Sequence, residues 1–146
     1  MSFMGKATVA VAALGMAAGS VFGAGTANAA GDLYGAIALG DGWDDFGGGI
    51  NFSTRADAEA KALELCAADT CTIRASWSNG CLTIVENDEY TAWGVGSTRA
   101  ESEKDAWANL VEGSPQALLL NVGSSQLAGQ LAGGEVVAVH CTDNVR

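Results

Sequence analysis

Apolar residues along this chain come in short runs, broken by glycine-rich or acidic stretches. Asp32–Leu39 (DLYGAIAL) is short, apolar and part aromatic, and predicts a first strand. Gly40–Gly49 (GDGWDDFGGG) predicts a turn region, after which Ile50-Asn51-Phe52 approaches a helix. Thr54 suits an N-cap, and Asp57 in the first turn favours the helix dipole. The helix is expected over about Arg55–Ala67, with Ala56, Ala60, Leu63 and Ala67 at helical spacing on its apolar face. Asp69-Thr70 turns the chain into a strand at Thr72–Trp77, and Cys81–Val85 forms another. Glu86-Asn87-Asp88-Glu89 is a polar hairpin loop leading to a strand at Tyr90–Val95. Thr98 with Glu101 makes a capping box for a second helix over about Arg99–Val111. Ser114-Pro115 can start a short helix through Asn121, Gln126–Leu131 offers another helical turn, and Val136–His140 closes as a strand.

One segment occurs twice. Ser53-Thr54-Arg55-Ala56-Asp57-Ala58-Glu59-Ala60-Lys61-Ala62 returns as Ser97-Thr98-Arg99-Ala100-Glu101-Ser102-Glu103-Lys104-Asp105-Ala106. Such a duplication implies two copies of one supersecondary unit sharing a core. The expected fold class is α+β: a small antiparallel sheet with two helices from an internal pseudo-repeat. The stretch at about 112–135 has no counterpart in the first copy and reads as an insertion.

The N-terminus reads as a secretory signal peptide covering residues 1–29. Lys6 is the one charge before Asp32, Ala7–Ala18 is apolar but too short to span a bilayer, and Ala27-Asn28-Ala29 has the small-x-small form of a cleavage site. Cleavage after Ala29 leaves a single domain, Ala30–Arg146, with no membrane span; no cysteine near the site offers a lipid anchor. The expected location is extracellular or at the cell envelope. Loss of Lys6 leaves six Lys and Arg against 17 Asp and Glu, a net of about −11. That charge repels phosphate and makes nucleic acid and anionic lipid poor partners.

Cys66, Cys71, Cys81 and Cys141 all follow the leader, and an even count in a small secreted domain suggests two disulfides. Three pairings are open. Cys66 and Cys71 are close enough to staple a helix end to the next strand, which leaves Cys81 with Cys141, each near the end of a half. The spacing lacks the close pairs of structural zinc sites.

The pattern Tyr34-Gly35-Ala36-Ile37-Ala38, a glycine-rich turn, the doubled STRA-acidic motif and Asn79-Gly80-Cys81 resembles the DUF4189 family of small secreted actinobacterial domains. The likeness runs over about Leu33–Cys141. It implies a secreted disulfide-braced domain with a small sheet and two helices, and brings no catalytic residues with it. The chain departs from the family pattern at the end of the second helix, where members carry a further cysteine pair and this chain has Leu110 followed by the insertion.

Candidate chemistry is sparse. His140 is the sole histidine, beside a disulfide cysteine, and no GxSxG elbow accompanies it. Asp41, Asp44 and Asp45 lack the spacing of an EF-hand loop, and Glu86, Asp88 and Glu89 read as solvated loop acids. Gly47-Gly48-Gly49 is followed by no Lys-Ser/Thr, so a phosphate loop is not indicated. No cofactor or metal is expected. Trp77 and Trp93 lie on strands, and Trp107, at the position of Leu63, is expected in the core. Trp43 in the glycine loop, with Phe46, is the expected partner contact. The reading is a secreted domain that binds an unidentified protein or envelope partner. The alternatives are an inhibitor of an extracellular enzyme and, behind it, a hydrolase with an unrecognised site.

Overall fold

The computed structural model describes residues 31–41, 45–66, 68–120 and 122–145. The expected leader and Trp43 lie outside these residues. The elements run β1 (Tyr34–Leu39), β2 (Phe46–Phe52), α1 (Arg55–Cys66), β3 (Thr72–Ser78), β4 (Cys81–Glu86), β5 (Thr91–Gly96), α2 (Arg99–Gly113), α3 (Pro115–Leu119), α4 (Ser125–Leu131) and β6 (Glu135–Cys141). The fold is α+β with small antiparallel sheets, as expected, and the strands divide into two sheets of three, β2-β1-β3 and β5-β4-β6. Each half runs strand, strand, helix, strand, and puts its first strand at the centre.

Side-chain alternation assigns the layers. Ala36 and Ala38 of β1 pack on Ala58, Ala62 and Cys66 of α1. Ile37 faces the other way and meets Trp77, Leu82 and Ile84, with Ile50, Ala75, Trp93 and Ala138 around them. On the far side of β4, Val85 joins Ala92, Ala106, Trp107 and Leu110. The result is helix, sheet, sheet, helix, with the bulkiest apolar layer between the sheets.

The turn expected over Gly40–Gly49 is half strand, because β2 begins at Phe46. A Cβ on Gly47 would lie 2.0 Å from the Ala62 carbonyl, and one on Gly49 would lie 2.4 Å from the Ala58 carbonyl. These glycines are flat backbone under a helix. Gly94 repeats the contact in the second half, where a Cβ would lie 2.1 Å from the Ala106 nitrogen. Gly49 stands four residues before Ser53 and Gly94 three before Ser97; Asn51, at φ 68°, supplies the extra residue at a register shift in β2.

That close seat also decides the helix face. The buried residues of α1 are Ala58, Ala62 and Cys66, while Leu63, expected inside, is 41% exposed, and Ala56 and Ala60 are exposed. Only alanine-sized side chains fit between a helix and glycine backbone. In α2 the equivalent positions are Ser102, Ala106 and Leu110, so Leu110 stands where Cys66 stands in α1. Ser102 Oγ donates to the Arg99 carbonyl at 2.9 Å and pairs with Thr83 Oγ1 at 2.7 Å, which satisfies both buried hydroxyls.

The caps follow local sequence. Thr54 Oγ1 accepts from the Asp57 N–H at 3.2 Å, and Thr98 Oγ1 from the Glu101 N–H at 3.3 Å. The Glu101 carboxylate reaches back one residue further than an ordinary capping box, accepting from the Ser97 N–H at 3.0 Å. The Ser97 hydroxyl also donates to it and holds it below the usual carboxylate range.

The disulfides are Cys66–Cys71 and Cys81–Cys141. The first ties the end of α1 to the approach to β3. The second joins residues that are direct neighbours across β4 and β6. Hydrogen bonds reinforce that end: the Gly80 N–H donates to Thr142 Oγ1 at 3.1 Å, and the Asp143 N–H to Asn51 Oδ1 at 2.8 Å.

Two outcomes are expected from this packing. In chemical denaturation, Gly94→Ala loses about 1–3 kcal/mol or more, because backbone atoms of α2 must move. Gly48→Ala, whose nearest neighbour would be a Phe46 ring carbon at 3.8 Å, is neutral or stabilising by up to about 1 kcal/mol. In thermal melts, Cys141→Ser lowers the melting temperature more than Cys71→Ser. The sequence separations of 60 and 5 correspond to about 4 and about 2 kcal/mol of loop entropy. Equal effects would count against that account.

Candidate functional site

The strand ends remote from the Asn79-Gly80 turn leave a cleft between the sheets. Leu39 of β1 and Phe46 of β2 stand there in one sheet, and Glu86 of β4 and Thr91 of β5 in the other. With Ile37, Ile84, Trp93, Val137, Ala138 and His140 they line a cavity of about 210 Å³. Its walls are apolar and its polar groups are few: the Glu86 carboxylate, the Thr91 hydroxyl and the His140 imidazole. This is the general character of a small-ligand or side-chain pocket.

Trp93 is the hub. Ala92 and Gly94 face α2, so alternation turns Trp93 toward the other sheet. Its backbone carbonyl accepts from Asn109 Nδ2 at 2.7 Å, which ties β5 to α2. Trp93 also lines a second cavity of about 380 Å³ with Leu39, Gly40, Asp41, Arg74, Tyr90 and Thr91. A third, of about 340 Å³, lies against Tyr90, Asn109, Glu112 and Gly113. All three recesses include Trp93 in their lining, and together they form a furrow that carries Phe46 and Tyr90 partly exposed. Asp41, Glu86 and Glu112 bring negative charge to it, against the single cation of Arg74.

Phe46 and His140 stack with ring centroids 6.5 Å apart. His140 is half-buried, and burial alone pushes its pKa below the ordinary histidine value. Among the described residues no hydroxyl nucleophile or carboxylate is hydrogen-bonded to the imidazole, which rests against a phenyl ring.

The loop before β5 is held rigidly. Asn87 Oδ1 accepts from the N–H groups of Glu89 (3.1 Å) and Tyr90 (2.8 Å), and Asn87 Nδ2 donates to Ser114 Oγ at 3.0 Å. Glu89 accepts from Gln116 Nε2 at 2.9 Å, so this acid anchors α3. The Asp41 N–H donates to Thr70 Oγ1 at 3.2 Å. Among the described residues no His, Cys, Asp and Glu side chains cluster as a metal site.

Of the expected partner contacts, Phe46 lies at the mouth of the cleft, 38% exposed. Trp43 lies outside the described residues, as does Asp44. The four cysteines brace the fold and line none of the three recesses. Trp93, Tyr90 and Thr91 were not singled out from sequence. The small residues at 92, 94 and 96 were the available signal, since they mark the helix-facing side and leave Trp93 on the other.

Comparison with known proteins agrees on family and stops there. A family model described as "Domain of unknown function (DUF4189)" matches residues 34–119. Protein Rv1269c of Mycobacterium tuberculosis and Protein Mb1300c of Mycobacterium bovis are each 40% identical over 84 residues, 58% of this chain. The chain thus spans 65% of the length of those relatives. The NMR structure of Rv1813c from Mycobacterium tuberculosis is 26% identical, with a TM-score of 0.48 and 75% of each chain covered.

The environment of His140 has a measurable consequence. Its folded pKa lies below the unfolded value of about 6.5, so the unfolded chain takes up this proton first. The neutral imidazole therefore contributes stability fully above about pH 6.5, and loses it as pH falls through the folded value. An NMR titration should place the imidazole below 6.5, and His140→Gln should flatten the fall in melting temperature just below that pH. A pKa at or above 6.5 would contradict the burial argument.

Proposed function

The chain belongs to the DUF4189 family, and on that premise we propose that it is a secreted, disulfide-braced interaction module rather than a carrier of its own chemistry. The observation that carries the reading is the furrow around Trp93, with Phe46 and Tyr90 exposed beside it and acids along its rim. Aromatic side chains at a recess are the residues that most often dominate binding energy. The acidic rim and the net charge select a partner that presents an apolar side chain next to Lys or Arg. A cation over the Trp93 or Tyr90 ring would add to the attraction.

Secretion is part of the proposal. It is supported by Ala7–Ala18 and Ala27-Asn28-Ala29, and by two disulfides, which form and persist in oxidising compartments.

The protein recovered from the medium of a secreting host should begin at Ala30. Panned against a displayed peptide library, it should enrich sequences with an aromatic or aliphatic residue flanked by Lys or Arg. Phe46→Ala and Tyr90→Ala should weaken the selected peptides at least about tenfold, and added salt should weaken them further. Enrichment of acidic peptides, or binding indifferent to both substitutions, would sink the reading.

A further inference from the structure

The insertion carries an apolar surface that nothing among the described residues covers. From Gly113 to Gly134 no residue is charged, while the whole chain carries −10. One side of this segment is committed inward: Ala117 of α3 and Ala128 and Gly129 of α4 are buried. Gly129 lets α4 close onto Trp107, whose Cε3 would lie 2.5 Å from a Cβ there. The other side is leucine. Leu119 is 84% exposed, Leu118 64%, and Leu127 and Leu131, one turn apart on α4, 45% and 59%. A surface helix ordinarily turns one face to the core and a polar face to water. On α4 the outer side carries Leu127 and Leu131 beside the uncharged Gln126 and Gln130.

We propose that the α3–α4 segment is the contact through which two copies of this chain associate, face to face across a two-fold axis. Three occupants are conceivable, and charge separates them. A lipid surface is recruited by Lys and Arg beside the apolar face, yet this segment is bounded by Glu112 and Glu135. A basic partner is drawn to the acids elsewhere, not to an uncharged patch. A second copy carries the same net negative charge, and a segment free of charged side chains is where it meets least repulsion. An isologous contact sets each copy's leucines against the other's, with Ser124, Ser125 and Gln126 available at the rim. Two short helices make a small contact, so the association is weak and concentration-dependent. Salt screens the repulsion between the copies and tightens it, the opposite of the salt response of a basic partner in the furrow.

Sedimentation velocity of the purified chain across the micromolar range tests this. A monomer–dimer equilibrium is expected, shifting toward dimer as salt rises. Leu119→Glu and Leu131→Glu, both at exposed positions, should each raise the dissociation constant at least about tenfold. Leu65→Glu, at a 51% exposed position on α1, should leave it unchanged. Matching thermal melts would show that the variants fold. A monomer at every concentration, a dimer indifferent to Leu119→Glu and Leu131→Glu, or a dimer equally disrupted by Leu65→Glu would overturn the proposal. So would Leu119-dependent binding to phosphatidylcholine vesicles by a monomeric chain.

Discussion

Each of the two long helices lies directly on strand backbone, and the architecture depends on that contact. Gly47 and Gly49 admit α1 to within a carbonyl's reach of β2, and Gly94 and Gly96 do the same for α2 on β5. Over these glycines the interface has room for Ala58, Ala62, Ser102 and Ala106, while Leu110 is buried further along α2 beside Val85. Apolar bulk is displaced to the layer between the sheets, where Ile37, Trp77, Leu82, Ile84 and Trp93 meet. Burying a large apolar side chain contributes about 1.5–3 kcal/mol, so the inter-sheet layer supplies much of the driving force while the glycines fix the geometry.

The halves share a topology and differ in what covers their helices. Leu63 of α1 faces solvent; Trp107, its counterpart, is 2% exposed because α4 and Gly134 lie over its ring. The insertion thus acts as a lid for one indole. The cover has a cost, since the Trp107 Nε1 hydrogen is buried with no partner among the described residues, as is that of Trp77 beside Gly35. An unmade indole hydrogen bond costs about 1–3 kcal/mol, which close ring packing on glycine must offset. The lid also brings in the leucines that find no place inside.

The two ends of the molecule are built differently. At the Asn79-Gly80 turn the sheets are joined by the chain itself and by the Asp143–Asn51 hydrogen bond, while the Cys81–Cys141 disulfide ties β4 to β6 within the second sheet. At the other end aromatic and acidic side chains surround a recess. A closed end that holds the sheets in register and an open end that presents side chains is a sound basis for a rigid binding surface, because little ordering is left to do when a partner arrives.

Much of this was legible in sequence. Thr54 and Thr98 marked both helix starts, since an N-cap is a local hydrogen bond. The cysteine spacing and the doubled segment indicated the two bridges, because the chain between Cys66 and Cys71 is too short to separate them far. Three things were settled only by tertiary structure. Glycines in a row carry no sign of whether they turn or lie flat under a helix; the approach of α1 decides that. Alanine at nearly every turn of α1 leaves its inward face undetermined, and the seat on Gly47 and Gly49 selects Ala58 and Ala62. The furrow draws Leu39, Phe46, Tyr90, Trp93 and His140 from four strands and a loop, and contacts between residues so far apart in the chain arise from how two sheets stack, which no local pattern encodes.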